Sequence, residues 1–399
     1  MITLNPSANG WIDKLFTERS LQQPLQLDPE AFYTSLRRTG FLYGHVVNLC
    51  HGLEVNTDGW IEDEFSKAAL LLALFDIYRL TIHRVDPVDF VIRALEFYKT
   101  VNPGATNLLK KVLPGGSGSA RLEELISERV RTNHDVVSKN FTNIVTNALL
   151  FIDVLAFRRF LSGELADDYF QKIEESVISI VTLALAAKTV KSAHDDLLLK
   201  LFQTSLRYTK FSKSGIKDPE QLKLSDFTDP LEKFYFIDMG GLALWSDGEI
   251  ENEEAYFLYK LSEIMGVDDA FTARSIIDTH HFLSKYKKQI PYFNHSSPVK
   301  SFYDHMTQMV VTLMTRNRKR LVKEISQSAE LMSLLAQSTQ RELDAREKKK
   351  VKRQMIDIIK SIPSLTIFLL PGGSLLLPIL IRFIPTLLPS AFNENQEQE

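Results

Sequence analysis

From Ser364 to Ile381 the chain runs eighteen residues without a formal charge, yet prolines stand at 363, 371 and 378, with two more at 385 and 389. Few architectures accommodate both properties. The length reaches what a membrane-spanning helix needs. A soluble helix, however, breaks at each interior proline, because the ring removes a backbone donor and clashes with the preceding turn. In lipid, neighbouring helices and local rearrangement satisfy the freed backbone groups. The stretch is therefore read as a proline-kinked apolar membrane segment over residues 362–392, followed by an acidic tail at 393–399. Two arrangements stay open. One is a single kinked span. The other is a re-entrant hairpin turning at Pro371, Gly372 and Gly373, with Arg382 at the headgroups. The hairpin's first arm has seven residues, about 10 Å as a helix, and is too short to cross.

The remaining sequence has ordinary globular composition, with 44% hydrophobic and 24% charged residues over 399 positions. That length suggests two or three domains, each able to bury a core. A net charge of −3 gives no global basic field, so no direct DNA binding is expected. Cys50 is the single cysteine, which excludes an intramolecular disulfide and any thiolate metal cluster. The start, Met1-Ile2-Thr3-Leu4-Asn5-Pro6, lacks a basic region followed by an apolar run, so no secretory signal is visible. The N-terminal bulk is expected in the cytoplasm, with the tail at the inner membrane.

Helical periodicity dominates. Phe65–Ile82, Val88–Tyr98, Leu122–Val130 and Val136–Phe160 all place apolar residues at three- and four-residue spacing, while alternating β-branched runs are scarce. The fold class read from this is all-α, with multi-helical bundle domains. Pro114-Gly115-Gly116-Ser117-Gly118-Ser119 reads as a loop. It is not a phosphate cradle, since no Lys-Ser/Thr follows and no strand precedes it. A boundary between Thr209 and Pro230 divides an N-terminal helical domain (1–215) from a second one (216–300).

The second domain contains a helix, a tight Asp247-Gly248 turn and another helix that starts near Glu251 or Asn252. Acidic Glu249, Glu251 and Glu254 suit that helix start. The spacing of Asp247, Gly248, Ile250 and Glu254 resembles the tellurite-resistance TerB-like helical domain over residues 231–293. The resemblance makes Asp247, Glu249, Glu251 and Glu254 a candidate metal or partner turn, set against a plain solvated helix start. An EF-hand is excluded, because alternating oxygen ligands before the glycine are missing.

Residues 301–361 read as long amphipathic helices. Phe302, Met306, Met309, Val310 and Leu313 form one stripe, followed by Arg316, Arg318, Lys319 and Arg320. A second run carries Leu343, Val351, Met355, Ile358 and Ile359, with Arg346, Lys348, Lys349, Lys350, Lys352 and Arg353 beside the apolar tail. Juxtamembrane Lys and Arg are drawn to anionic lipid by about 1 kcal/mol each. They also favour the cytoplasmic side.

Leu343, Arg346, Glu347, Arg353, Asp357, Pro363, Pro371, Pro378, Pro385, Leu388, Pro389, Ser390 and Phe392 fall without a gap on a known pattern. It resembles the membrane segment of the LETM family, the leucine-zipper and EF-hand transmembrane proteins of the mitochondrial inner membrane. Together with the TerB-like segment, the arrangement is similar to bacterial LETM-related proteins described as biofilm-associated. The resemblance implies roles in cation/proton exchange or potassium homeostasis, and a ribosome-binding region in longer members. Two departures set limits. The ribosome-binding region and calcium-binding motif that follow this segment in mitochondrial members are expected to be absent, and Ser374 stands where those members have an acidic residue. An intramembrane carboxylate is the natural proton or cation ligand, so autonomous exchange by this tail is not expected.

No nucleophile elbow, His-Glu-x-x-His pair, Walker loop or dinucleotide fingerprint occurs. His134-Asp135 and His194-Asp195-Asp196 hold only fragments of a phosphohydrolase metal pattern and read as surface or capping residues. In Asp278-Thr279-His280-His281 the two histidines point about 100° apart on a helix, poorly placed to share an ion. The reading is a non-enzyme without cofactor, acting as a membrane-associated scaffold or regulator in ion or envelope homeostasis. Its partners are membrane lipid, a second copy of the chain, or the ribosome or another protein. The alternatives are an oligomeric transport component, a ribosome-binding membrane protein and a metal-sensing TerB-like module.

Overall fold

The computed structural model describes residues 2–18, 28–49, 55–101, 117–130, 147–188, 193–209, 218–245, 250–290, 310–341, 343–362 and 365. Among these the chain is helical apart from short turns and one parallel pairing of Ile2–Thr3 with Val55–Asn56.

In chain order the first helices are α1 (Trp11–Glu18), α2 (Pro29–Thr39), α3 (Glu62–Ile82), α4 (Pro87–Val101) and α5 (Gly118–Val130). Then follow α6 (Phe151–Leu161), α7 (Tyr169–Ala187), α8 (Ala193–Ser205), α9 (Pro230–Leu244), α10 (Asn252–Met265) and α11 (Asp269–Tyr286). The last three are α12 (Arg318–Ser326), α13 (Ala329–Gln340) and α14 (Ala345–Ser361). Many starts are written locally. Asp28, Asp229, Asp268 and Asp344 each accept a backbone N–H from the first turn of the helix that follows. Such caps satisfy donors that the helix itself leaves orphaned. At α2 the end is equally local, since Gly40 takes the left-handed conformation with φ 81°. A Cβ there would meet the His45 carbonyl oxygen at 2.1 Å, so only glycine fits.

Two helices, α3 and α9, are buried on every face and organise the main body. The first packs on α5 and α6, and the second packs on α2, α7, α10 and α11. Gly240 lets α9 approach its neighbours: an added Cβ would lie 3.0 Å from Leu258 and 3.5 Å from Ile180. One aromatic-rich core joins all of this, with Phe75, Phe90, Phe97, Phe157, Tyr33, Phe151 and Tyr235 fully buried. It runs across the expected 215/216 boundary, because α9 seats directly on α7 and α2.

Three buried carboxylates tie the body together. Arg37 Nε and Nη2 donate to Asp238 at 2.8 and 3.0 Å, and the Tyr33 hydroxyl adds a third bond at 2.9 Å. Arg129 Nε donates to Asp153 at 2.6 Å, joined by the Tyr98 hydroxyl at 3.1 Å. Glu174 accepts the backbone N–H groups of Arg207, Tyr208 and Thr209 at 2.9 to 3.0 Å. Burial pushes the Glu174 carboxyl above its usual range, and those three N–H donors oppose the shift.

One sequence expectation changes. Gly118 and Ser119 open α5 instead of ending a loop, because the Ser117 hydroxyl accepts the Ala120 N–H at 3.2 Å and caps the helix. The described part of the Val136–Phe160 run is helical as expected, a 3-10 turn at Asn147–Leu150 leading directly into α6. Within the stretch expected to form long amphipathic helices over 301–361, the described residues are helical at 310–316 and then form α12, α13 and the 17-residue α14. The chain turns at Asn317, at Gln327–Ser328, where the Ser328 hydroxyl caps α13, and before Asp344. Only by turning can these short apolar stripes face one another.

They face one another in a second, smaller core. Val310, Leu313, Met314, Leu321, Ile325, Leu331, Leu335, Val351, Met355 and Ile359 are buried together, with Ile362 and Leu365 closing one end. The first apolar residues of the expected membrane segment therefore serve this bundle.

Candidate functional site

The basic helix α14 sits on this small bundle. Val351, Met355 and Ile359 recur at four-residue spacing and turn inward, so the charges between them must turn out. Arg346, Lys348, Lys349, Lys350, Lys352 and Arg353 are all exposed. Asp344 fixes the start of the helix by accepting the N–H groups of Arg346 and Glu347 at 2.7 and 2.8 Å.

Surface pairs set the bundle's register. Lys350 Nζ donates to Glu330 at 2.6 Å, and Gln354 reaches the other oxygen at 2.8 Å, fastening α14 to the first turn of α13. Arg341 makes a two-pronged contact with Glu347 at 2.7 and 2.8 Å, fastening the far end. The helices are thus antiparallel. That guanidinium and the Asp344 N–H pull the Glu347 carboxyl down to about 2. Arg346, Lys349, Lys352 and Arg353 have no ion-pair partner among the described residues.

A second basic element was not singled out by sequence as part of this site. Arg318, Lys319, Arg320 and Lys323 are exposed on α12, which packs against α14. Arg320 Nη2 donates to the Ser361 carbonyl at 3.1 Å, bringing the start of α12 to the end of α14. The signal available in sequence was the run itself, Arg316 to Arg320, but nothing in it said which helix it would join. Residues 310–365 hold thirteen Lys and Arg against six Asp and Glu, a net of +7. The whole chain is −3, so the remainder carries −10. The near-neutral total conceals a strongly basic module on an acidic body.

The other sequence candidates lie elsewhere. Pro363, Pro371, Gly372, Gly373, Pro378, Arg382, Pro385 and Pro389 fall outside the described residues, as do Asp247, Glu249 and His134-Asp135. Among the described residues no helix is long and apolar enough to cross a membrane. At the acidic turn, Glu254 is buried and accepts the Glu251 N–H at 3.1 Å, securing the start of α10. Asp195 pairs with the buried Lys188 at 3.6 Å. The Asp278 run splits among separate partners: Asp278 meets Arg37 at 3.2 Å, Thr279 meets the Tyr43 hydroxyl at 2.9 Å, and His280 Nδ1 accepts from Trp245 at 3.1 Å. Among the described residues no three His, Cys, Asp or Glu side chains gather as a metal site would require.

The helix that carries the basic face opens a segment with a known relative. Residues 343–399 match the family model described as LETM1-like, RBD. The match supports the LETM resemblance of this segment and begins at Leu343, where the sequence pattern began. It covers the basic helix and the apolar tail as one unit. No curated protein and no solved structure matches the chain. The sequence leads one to expect the ribosome-binding region to be missing, yet the matched description ends in RBD, the ribosome-binding domain. Ribosome or protein binding by this segment is consistent with the match.

Proposed function

We propose that the protein is a membrane-associated, non-enzymatic LETM-related helical protein, held on an anionic bilayer by its basic C-terminal module. It acts there as a scaffold or regulator in ion or envelope homeostasis, in the manner of the biofilm-associated bacterial type, with its acidic body on the cytoplasmic side. One observation carries the reading. Within a single family match, an exposed basic helix runs straight into eighteen uncharged, proline-spaced residues. Exposed Lys and Arg at an anionic surface contribute about 1 kcal/mol each. The apolar tail then supplies attachment that salt does not screen.

The second reading, binding to ribosomal RNA or protein by the same basic face, is favoured by the printed description of the match. One experiment separates the two. Full-length protein is floated with vesicles of zwitterionic lipid alone or with added anionic lipid, and in parallel pelleted with ribosomes. The membrane reading expects flotation that rises with anionic lipid. It also expects the Lys349→Gln, Lys352→Gln, Arg353→Gln triple variant to weaken partitioning about a hundredfold. Full-length protein that stays out of both vesicle types while pelleting with ribosomes would replace it with the second reading.

A further inference from the structure

The two cores meet at the first turn of α3. Ile61, the residue just before that helix, is packed among Val310, Leu313 and their neighbours, not in the main core. Three residues on, Glu64 is fully buried. Its carboxylate takes both Nη groups of Arg316, at 2.6 and 2.7 Å, and Arg316 Nη1 also donates to the Gly59 carbonyl at 3.1 Å. Arg316 is part of the small bundle, so a side chain of the basic module is seated in the acidic body.

Glu64 has a second task. The oxygen that receives Arg316 Nη1 also accepts the Ile61 N–H at 3.0 Å, closing the start of α3. If Arg316 withdraws, this carboxylate keeps that bond and stays at the positive end of the helix dipole. The helix therefore keeps its start with or without the guanidinium. Arg316 is about one-fifth exposed already, with 21% of its side-chain surface open to solvent and Nε without a hydrogen-bond partner. Separation returns hydration to both charges, unlike deletion of one partner, which strands the other. Each side also keeps its own apolar core, and Ile61 is a body residue that packs into the small one.

We propose that residues 310–365 dock and undock as a unit on the first turn of α3, with Arg316 and Glu64 as a reversible catch. Docked, the +7 module rests against a body of net −8 over residues 1–309; undocked, it is free to turn its basic helices elsewhere. The catch ends on α3, the buried centre of the body, so the module's position is coupled to the body at its most constrained helix. The inference does not depend on what the basic face binds.

A spin-label distance measurement on the full chain tests it. Labels go on the exposed positions Arg84→Cys and Gln327→Cys in a Cys50→Ser background. Without further change one main distance is expected. Arg316→Met should add a second, longer population, lowering the docked-to-undocked ratio about tenfold, with the body's unfolding midpoint unchanged. Glu64→Gln should do the same, and the Glu64→Gln/Arg316→Met pair should add nothing beyond either single change. An unaltered distance distribution in Arg316→Met overturns the proposal. So does a fall in body and module stability together, which would make Arg316 a piece of one cooperative unit.

Discussion

The main body and the C-terminal module solve the same packing problem with different materials. Aromatic rings fill the body's core, and charged groups run through it: Arg37 with Asp238, and Arg129 with Asp153, are ion pairs withdrawn from water. From Val310 to Leu365 the sequence contains no Phe, Tyr or Trp, and the module's core is aliphatic and Met only. Arg316 apart, its charges stay at the surface, where Lys350–Glu330 and Arg341–Glu347 fasten helix to helix. Buried pairs punish the loss of one partner, whereas surface pairs contribute little and are screened. The body is thus built to hold one arrangement, and the module to stay folded while presenting charge.

The largest test of this contrast is Asp238→Ala. It strands Arg37 inside the body and should cost about 3 to 5 kcal/mol in urea unfolding. Protection of residues 310–365 against hydrogen exchange should be unchanged. Replacing both members, as Arg37→Met with Asp238→Leu, should recover much of the loss, because no fully buried charge is then left unpaired and Asp278, which also loses Arg37, is about one-third exposed.

Met355→Ala probes the other side. Emptying a fully buried Met position costs about 2 to 5 kcal/mol, and the loss should appear as faster exchange confined to the module. If the body's transition falls by the same amount, the two cores are a single cooperative unit and the contrast breaks.

The smallest effect is the acid response of the module. The folded pKa of Glu347 is depressed to about 2 from an ordinary 4.5. The stability it contributes is therefore complete above pH 4.5 and is lost as pH falls through 2. A carboxyl titration by NMR should place Glu347 near 2, and Arg341→Ala should return it toward 4.5. The accompanying change in module stability should be slight, because both groups are solvated.

Much of the helix inventory could be read from local patterns. Asp229-Pro230 with Glu232, and Asp344 with Glu347, announce their helices because the capping partners are three residues apart. The outward direction of Arg346 to Arg353 followed from the spacing of Val351, Met355 and Ile359 alone. By contrast, Asp238 and Arg37 are 201 residues apart, and no local rule joins them. The turns between the helices of residues 310–361 are a related case. Ser328 caps α13 locally, but Asn317 and Ser328 are also tolerated on helix surfaces, so local pattern alone did not place the turns. Gly118 was misread because glycine signals a loop unless a cap such as Ser117 precedes it.

By itself, then, the sequence determined the helical class, the caps, the basic character of residues 346–353 and the proline-spaced apolar tail that matches a LETM-like family. These depend on neighbours within a turn or two. Tertiary structure alone decided that one core spans residues 2–290, that α12 joins α14 in a second, and that Arg316 reaches Glu64. Each is a contact between residues far apart in the chain, chosen by which apolar faces and charges can be buried together.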